Sequence, residues 1–168
     1  MKKLSFLTAA AFLLSLAAFS RAAETVAVVG CSPNPDRPSN EIARYLQRQG
    51  YRVVPIHPGH REVLGEPCYP SLAAVPGDVR IDIVDVFRRS EFVAAVAAES
   101  IARKVPFLFM QLGVVDEASA RLLEAAGTGV AMDHCILVEH RRLGIPLKSR
   151  NAGGAPGVTP MSRNGIED

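Results

Sequence analysis

Short apolar runs alternate with amphipathic stretches along most of this chain. Val26 to Val29 is apolar without a break, as in a strand buried on both faces. Ser39 then stands as the expected N-cap of a helix from about Asn40 to Gln49, with Ile42, Ala43 and Leu46 inward and Gly50 as its stop. Tyr51 to Ile56 predicts a second strand, followed by a loop from His57 to Pro70 and a short helix over Ser71 to Val75. Ile81 to Phe87 reads as the third strand. Ser90 is expected to cap a helix to about Arg103, with Val93, Val96, Ala97 and Ile101 at helical spacing. Val105 to Met110 is the fourth strand. A helix over Asp116 to Ala126 turns Leu122 and Leu123 inward and stops at Gly127. Val130 to Met132 is the fifth strand, and Cys135 to Arg142 the last helix.

Strands alternating with helices imply an α/β fold: a doubly wound parallel sheet of five strands with right-handed crossovers, in three layers. The expected order is 3-2-1-4-5, with the switch point between strands one and four. Ligands of such sheets bind beyond the carboxyl ends of the strands at that point. Four exits are expected to converge there: Gly30 to Ser39, Pro55 to Pro58, Phe87 to Ser90 and Gln111 to Gly113.

Composition refines the domain picture. The chain has 168 residues, 48% of them apolar, enough for one full core. Lys2 and Lys3, the apolar run Leu4 to Phe19, and the small residues Ser20 and Ala22 around Arg21 have the pattern of a secretory signal or an N-terminal anchor over residues 1–22. Residues 23–147 form the domain, and the aperiodic segment 148–168 reads as a disordered tail. Cleavage places the protein in an exported or periplasmic setting; retention of the leader leaves a cytoplasmic one open. The leader holds three of the 19 basic and none of the 17 acidic residues, so the remainder carries a net charge of −1. No basic patch marks a nucleic-acid footprint. The three cysteines, Cys31, Cys68 and Cys135, are too few and too widely spaced for a disulfide framework.

The candidate chemistry lies at the strand exits. Gly30 allows a sharp turn, Cys31 sits in it, and the Ser32 hydroxyl is able to donate to a phosphate. No second or third glycine completes a dinucleotide fingerprint, and no P-loop lysine follows. Ile56, His57 and Pro58 stand where a dinucleotide site would carry an acidic residue for the ribose, which favours a more anionic ligand. Arg37 and Arg88 are the best placed phosphate ligands among Arg37, Arg61, Arg88 and Arg89. His57, His60 and Cys68 make a poor metal set in a loop of this composition. Asp82 and Asp85 point to opposite faces of their strand and form no acid/base pair; Asp85 is expected to face the loops and orient backbone amides. No catalytic constellation appears.

Six strings in order then resemble a known family. Val28-Val-Gly-Cys-Ser-Pro-Asn-Pro-Asp-Arg-Pro-Ser39, Gly50-Tyr-Arg-Val-Val-Pro-Ile-His-Pro58, Leu64-Gly-Glu-Pro-Cys-Tyr-Pro-Ser-Leu72, Asp82-Ile-Val-Asp-Val-Phe-Arg88, Gln111-Leu-Gly-Val114 and Met132-Asp-His-Cys135 resemble the small CoA-binding-domain proteins. These are similar to the nucleotide-binding domain of the succinyl-CoA synthetase α subunit. The resemblance implies a Rossmann-like fold and the binding of coenzyme A or an acyl-CoA. It places Gly30, Cys31, Ser32, Arg37 and Ser39 near the phosphates, Ile56, His57, Pro58, Phe87 and Arg88 at the adenosine end, and Gln111 and Gly113 at the cleft border. His57 stands where the family usually has Asn. The phospho-histidine domain and β subunit of the synthetase have no counterpart in this sequence, so the expectation is non-catalytic binding. A nucleotide-using or Cys31 redox enzyme, and a partner-binding subunit, are the alternatives.

Overall fold

The computed structural model describes residues 22–148. The expected leader and tail fall outside the described residues, apart from Ala22 and Lys148. In chain order the elements are β1 (Thr25–Val29), α1 (Pro38–Arg48), β2 (Arg52–Ile56), β3 (Glu62–Val63), β4 (Glu66–Pro67), β5 (Ile83–Val86), α2 (Val93–Ala102), β6 (Phe107–Met110), α3 (Glu117–Ala125), β7 (Gly129–Met132) and α4 (Ile136–Arg142). A 3₁₀ turn, Ser90–Phe92, leads into α2.

Five strands form one parallel sheet in the order β2-β1-β5-β6-β7. Outside β2, Tyr69 makes a parallel bridge to Ile56, its N–H donating to Pro55 O and its carbonyl accepting from His57 N. Counted as a rudimentary third strand, it completes the expected 3-2-1-4-5 pattern, with β7 beyond. The strand 83–86 therefore takes the fourth place, beside β1, because the chain at Tyr69 has already occupied the outer third.

Alternation along β1 sends Val26 and Val28 to one face and Ala27 and Val29 to the other. The first face meets α1 and α4 through Ile42, Ala43, Leu46 and Ile136; the second meets α2 and α3 through Val93, Ala97, Ala120 and Leu123. Helices thus cover both faces, which explains why the strands are buried and mostly apolar, with Asp85 in β5 a buried polar exception.

Four local expectations need correction. Helix α1 begins at Pro38, whose fixed φ and missing N–H suit the first helical position. Arg37 is then the N-cap, and Ser39 lies buried inside the first turn. Ser90 caps nothing; its Oγ accepts the Val115 N–H at 3.0 Å. Leu122 is exposed, because the inward stripe of α3 is Ser119, Ala120 and Leu123 at three- and four-residue spacing.

Residues 71–75 form turns, not a helix. Their backbone and that of the following residues is held from α2: Glu99 Oε2 accepts the Ala73 N–H at 3.0 Å, and the Arg103 guanidinium donates to the carbonyls of Val75, Pro76 and Val79. Leu72, Val75 and Val79 fill the place that a crossover helix would occupy. The preceding loop also contains the β3–β4 hairpin, turning at Leu64 and Gly65 with φ of 57° and 74°. At the amino edge of the sheet, Asp82 accepts the N–H groups of Glu24 and Thr25, and Lys148 N donates to Gln49 O. Among the described residues no helix is long and apolar enough to cross a membrane.

Candidate functional site

Gly30 ends β1 with φ +86°, a conformation that L side chains rarely adopt. A Cβ there would lie 2.8 Å from Phe87 O and 3.2 Å from Arg88 Cδ. The exits of β1 and β5 are therefore in contact. The β2 exit lies alongside, since Gly30 N and Cys31 N both donate to Ile56 O, at 2.9 and 3.3 Å.

The loop that follows spends its amides on itself. Ser32 N donates to Ser39 Oγ, Asn34 N to Ser32 Oγ, and Asp36 N to Asn34 Oδ1. Asn40 Nδ2 donates to Ser32 O at 2.7 Å and pins the loop to α1. With Gly30 N and Cys31 N on Ile56 O, and Arg37 N on Asn34 O, no N–H from Gly30 to Arg37 is left over as a main-chain donor for a phosphate. The hydroxyls of Ser32 and Ser39 each accept one hydrogen bond here and retain a proton to donate.

The cleft itself opens next to this loop. It has a volume of about 570 Å³ between the first turn of α1 (Pro38, Glu41, Ile42), the β5 exit (Phe87, Arg88, Arg89), the β6 exit (Gln111 to Val114) and the start of α4 (Cys135, Leu137). Of the expected site residues it gathers Phe87, Arg88, Gln111 and Gly113. Gly30, Cys31, Ser32, Arg37, Ser39, Ile56, His57 and Pro58 lie outside its lining. Gly30 and Arg88 touch, whereas Arg37 is exposed at the head of α1. The sequence reading missed Glu41, Ile42 and Leu137, which carry no motif and reach the cleft only through helix packing. A second cavity, of about 550 Å³, lies at the opposite edge beside Arg80, Arg103 and Lys104. Its Arg80 is paired with Asp82 at 2.7 Å, and its Arg103 is committed to loop carbonyls.

Two guanidinium groups flank the cleft mouth. Arg88 and Arg89 both stack on the half-exposed Phe92 ring, at 5.0 and 5.2 Å, and Arg89 also pairs with Glu91 at 2.9 Å. The β6 exit is braced by Asp133, whose Oδ1 accepts the Gly113 N–H at 2.8 Å. His57 accepts the Gly59 N–H on Nδ1 at 3.0 Å, and its pKa is lowered by burial, His60 and Arg88. Its neutral ring therefore carries the proton on Nε2. His57 and His60 stack at 4.5 Å, and among the described residues no three potential metal ligands cluster.

Beneath the cleft the chemistry is sealed. Cys31 has no exposed surface, and burial, followed by the influence of Cys68 and Asp85, pushes its thiol up to about 12. A reactive thiolate needs the opposite shift and an open approach, so the structure speaks against a Cys31 redox role. Asp85 is fully buried, and burial raises its pKa from the ordinary 3.8 to about 8 against the opposing hydrogen bond from Gln111. Contrary to expectation it orients a side chain, not backbone amides: its Oδ1 accepts from Gln111 Nε2 at 2.8 Å. The backbone amides go to Asp82 instead. The residues lining the cleft provide two guanidinium groups, the Glu41 carboxylate, the Cys135 thiol, the Gln111 carboxamide and apolar walls.

Comparison with known proteins agrees with this geometry. The uncharacterized protein YneT of Bacillus subtilis (strain 168) is 41% identical over 115 residues, 68% of this chain and 84% of that protein. The acetate–CoA ligase (ADP-forming) I of Archaeoglobus fulgidus is 30% identical over 131 residues, covering 78% of this chain but only 18% of the ligase. A hypothetical protein from Pyrococcus horikoshii OT3 superimposes with a TM-score of 0.71 at 28% identity, over 78% of this chain and 89% of that one. Residues 24–141 match the family described as CoA binding domain, and the chain belongs to that family.

Proposed function

We propose that this protein binds coenzyme A or an acyl-CoA in the cleft at the carboxyl edge of the sheet and does not transform it. One observation carries the reading: Arg88 and Arg89 stand at the mouth of an otherwise largely apolar cleft at the switch point. Planar guanidinium groups suit bidentate contact with a pyrophosphate. Walls formed by Ile42, Phe87, Val114 and Leu137 suit the pantetheine arm or an acyl chain. The hydroxyls of Ser32 and Ser39 and the exposed Arg37 supply further donors on the β1 side, with Gly30 and Cys31 forming the turn. Ile56, His57 and Pro58 flank the adenosine end, where neutral His57 offers one N–H. Gln111 and Gly113 border the cleft on the β6 side. The amides of residues 30–37 are committed to Ile56, to Ser39 and to one another, which shifts the grip from main chain to guanidinium. The ligase's own reaction is not part of the proposal, because the chain corresponds to 18% of that protein.

Titration calorimetry with CoA and dephospho-CoA tests the reading. Saturable binding of CoA supports it; no heat with either at about millimolar concentration, a weak-binding regime, overturns it. Mass spectrometry of the protein purified from its source identifies the bound molecule. The same spectrum reads the mature N-terminus, which tests our proposal that residues 1–22 direct export.

A further inference from the structure

Gln111 opens the loop after β6, lines the cleft and is only 4% exposed. Its Nε2 is committed to Asp85 Oδ1 at 2.8 Å. Its Oε1 takes no hydrogen bond from the described residues and is not sealed from solvent. Asp85 Oδ2, by contrast, is buried without a partner. Strand register puts Val28 and Phe109 beside Asp85, both apolar, so no other side chain on those strands competes for its oxygens.

We propose that Asp85 is a positioning residue that sets which end of the Gln111 carboxamide faces the cleft, and so whether the cleft offers a ligand an acceptor or a donor. An ionised carboxylate only accepts. It therefore turns the amide of Gln111 inward and leaves the carbonyl oxygen outward, ready for an N–H or O–H of the ligand. A proton on Asp85 adds a donor where Oδ2 has no partner, and turning the carboxamide over, NH₂ outward, gives that donor the Gln111 carbonyl to bond. The inference deepens the CoA reading and rests on it for the ligand, whose pantetheine amides and hydroxyl provide both kinds of partner. Cys31 on the β1 exit faces Asp85 and is itself held protonated by burial. Glu41 on α1 and Arg88 and Arg89 beyond β5 are the charged residues bordering the cleft above it. Burial keeps Asp85 protonated up to about 8, so the exchange falls within an accessible range.

The test follows the side-chain amide signal of Gln111 in ¹⁵N-labelled full-length protein across this range, alongside CoA affinity, in wild type and Asp85→Asn. The wild-type signal should move with a midpoint near 8 and the variant signal should stay flat. The ratio of wild-type to variant CoA affinity should change about tenfold across the range, the worth of one reversed hydrogen bond; titration of CoA itself cancels in the ratio. A wild-type signal that ignores pH, or a constant ratio, overturns the proposal. If wild type binds no CoA the coenzyme reading fails, while the Gln111 signal alone still decides the role of Asp85. Should Asp85→Asn not fold, Gln111→Met replaces it and must remove the pH-dependent part of CoA affinity.

Discussion

Gly30 and Phe87 approach so closely that a single methyl group on the first would lie 2.8 Å from the carbonyl oxygen of the second. This contact joins the β1 and β5 exits and fixes one side of the cleft. Gly30→Ala meets two costs, a positive φ and an unyielding backbone atom. The expected loss is about 3 kcal/mol of stability, mostly strain plus displacement of the 87–88 segment. Urea unfolding measures it; a loss under about 1 kcal/mol, within the range of ordinary surface changes, contradicts the close approach.

Arg88→Ala should weaken CoA and dephospho-CoA alike, by about tenfold, as expected for losing one charge-assisted contact. Arg37→Ala should act differently. If Arg37 reads the extra phosphate, its removal narrows the gap between the two ligands and leaves dephospho-CoA affinity unchanged. Calorimetry on both variants separates a pyrophosphate contact from a 3′-phosphate contact.

The cysteines should label in a fixed order. Cys135 is half-buried and lines the cleft, whereas Cys31 is sealed and its thiol lies near 12. Iodoacetamide near pH 8 should therefore modify Cys135 in the native protein and Cys31 only after unfolding. CoA should slow the labelling of Cys135. Native labelling of Cys31 ahead of Cys135 would revive the thiol-redox alternative.

Asp85 gives stability a pH dependence of defined sign. The folded chain holds its proton up to about 8, and the unfolded chain releases it near the ordinary 3.8. Between these values the native state binds more protons than the unfolded one. The contribution of this group is therefore complete below about pH 4, declines as pH rises, and levels off above about 8. Asp85→Asn should flatten that slope in denaturant midpoints taken across the range. An unchanged slope would mean that Asp85 is ionised throughout.

Much of this was legible in the order of residues. The apolar runs 26–29, 53–56 and 107–110 became strands because burial on both faces favours continuous apolar sequence, and 83–86 joined them although it carries Asp85. Gly50 and Gly127 end their helices with φ of +86° and +87°, as their positions promised. Local chemistry misled where a distant partner overruled it. Ser39 and Ser90 look like caps, but one hydroxyl serves the Ser32 amide and the other the Val115 amide, 25 residues away. Residues 71–75 resemble a helix until Glu99 and Arg103 take their backbone groups. At the site, glycine and arginine positions could be read from motifs. Glu41, Ile42 and Leu137 could not, because which helical residues reach a cleft depends on the angle of packing. Nor could the pairing of Asp85 with Gln111, which depends on the register between β5 and β6.

The anchoring of Glu24 by Asp82, and of Lys148 by Gln49, has a topological consequence. Both ends of the described chain leave from the rim of the sheet that faces away from the cleft mouth. The points at which the described chain begins and ends therefore lie on the side opposite the entrance and do not themselves obstruct it.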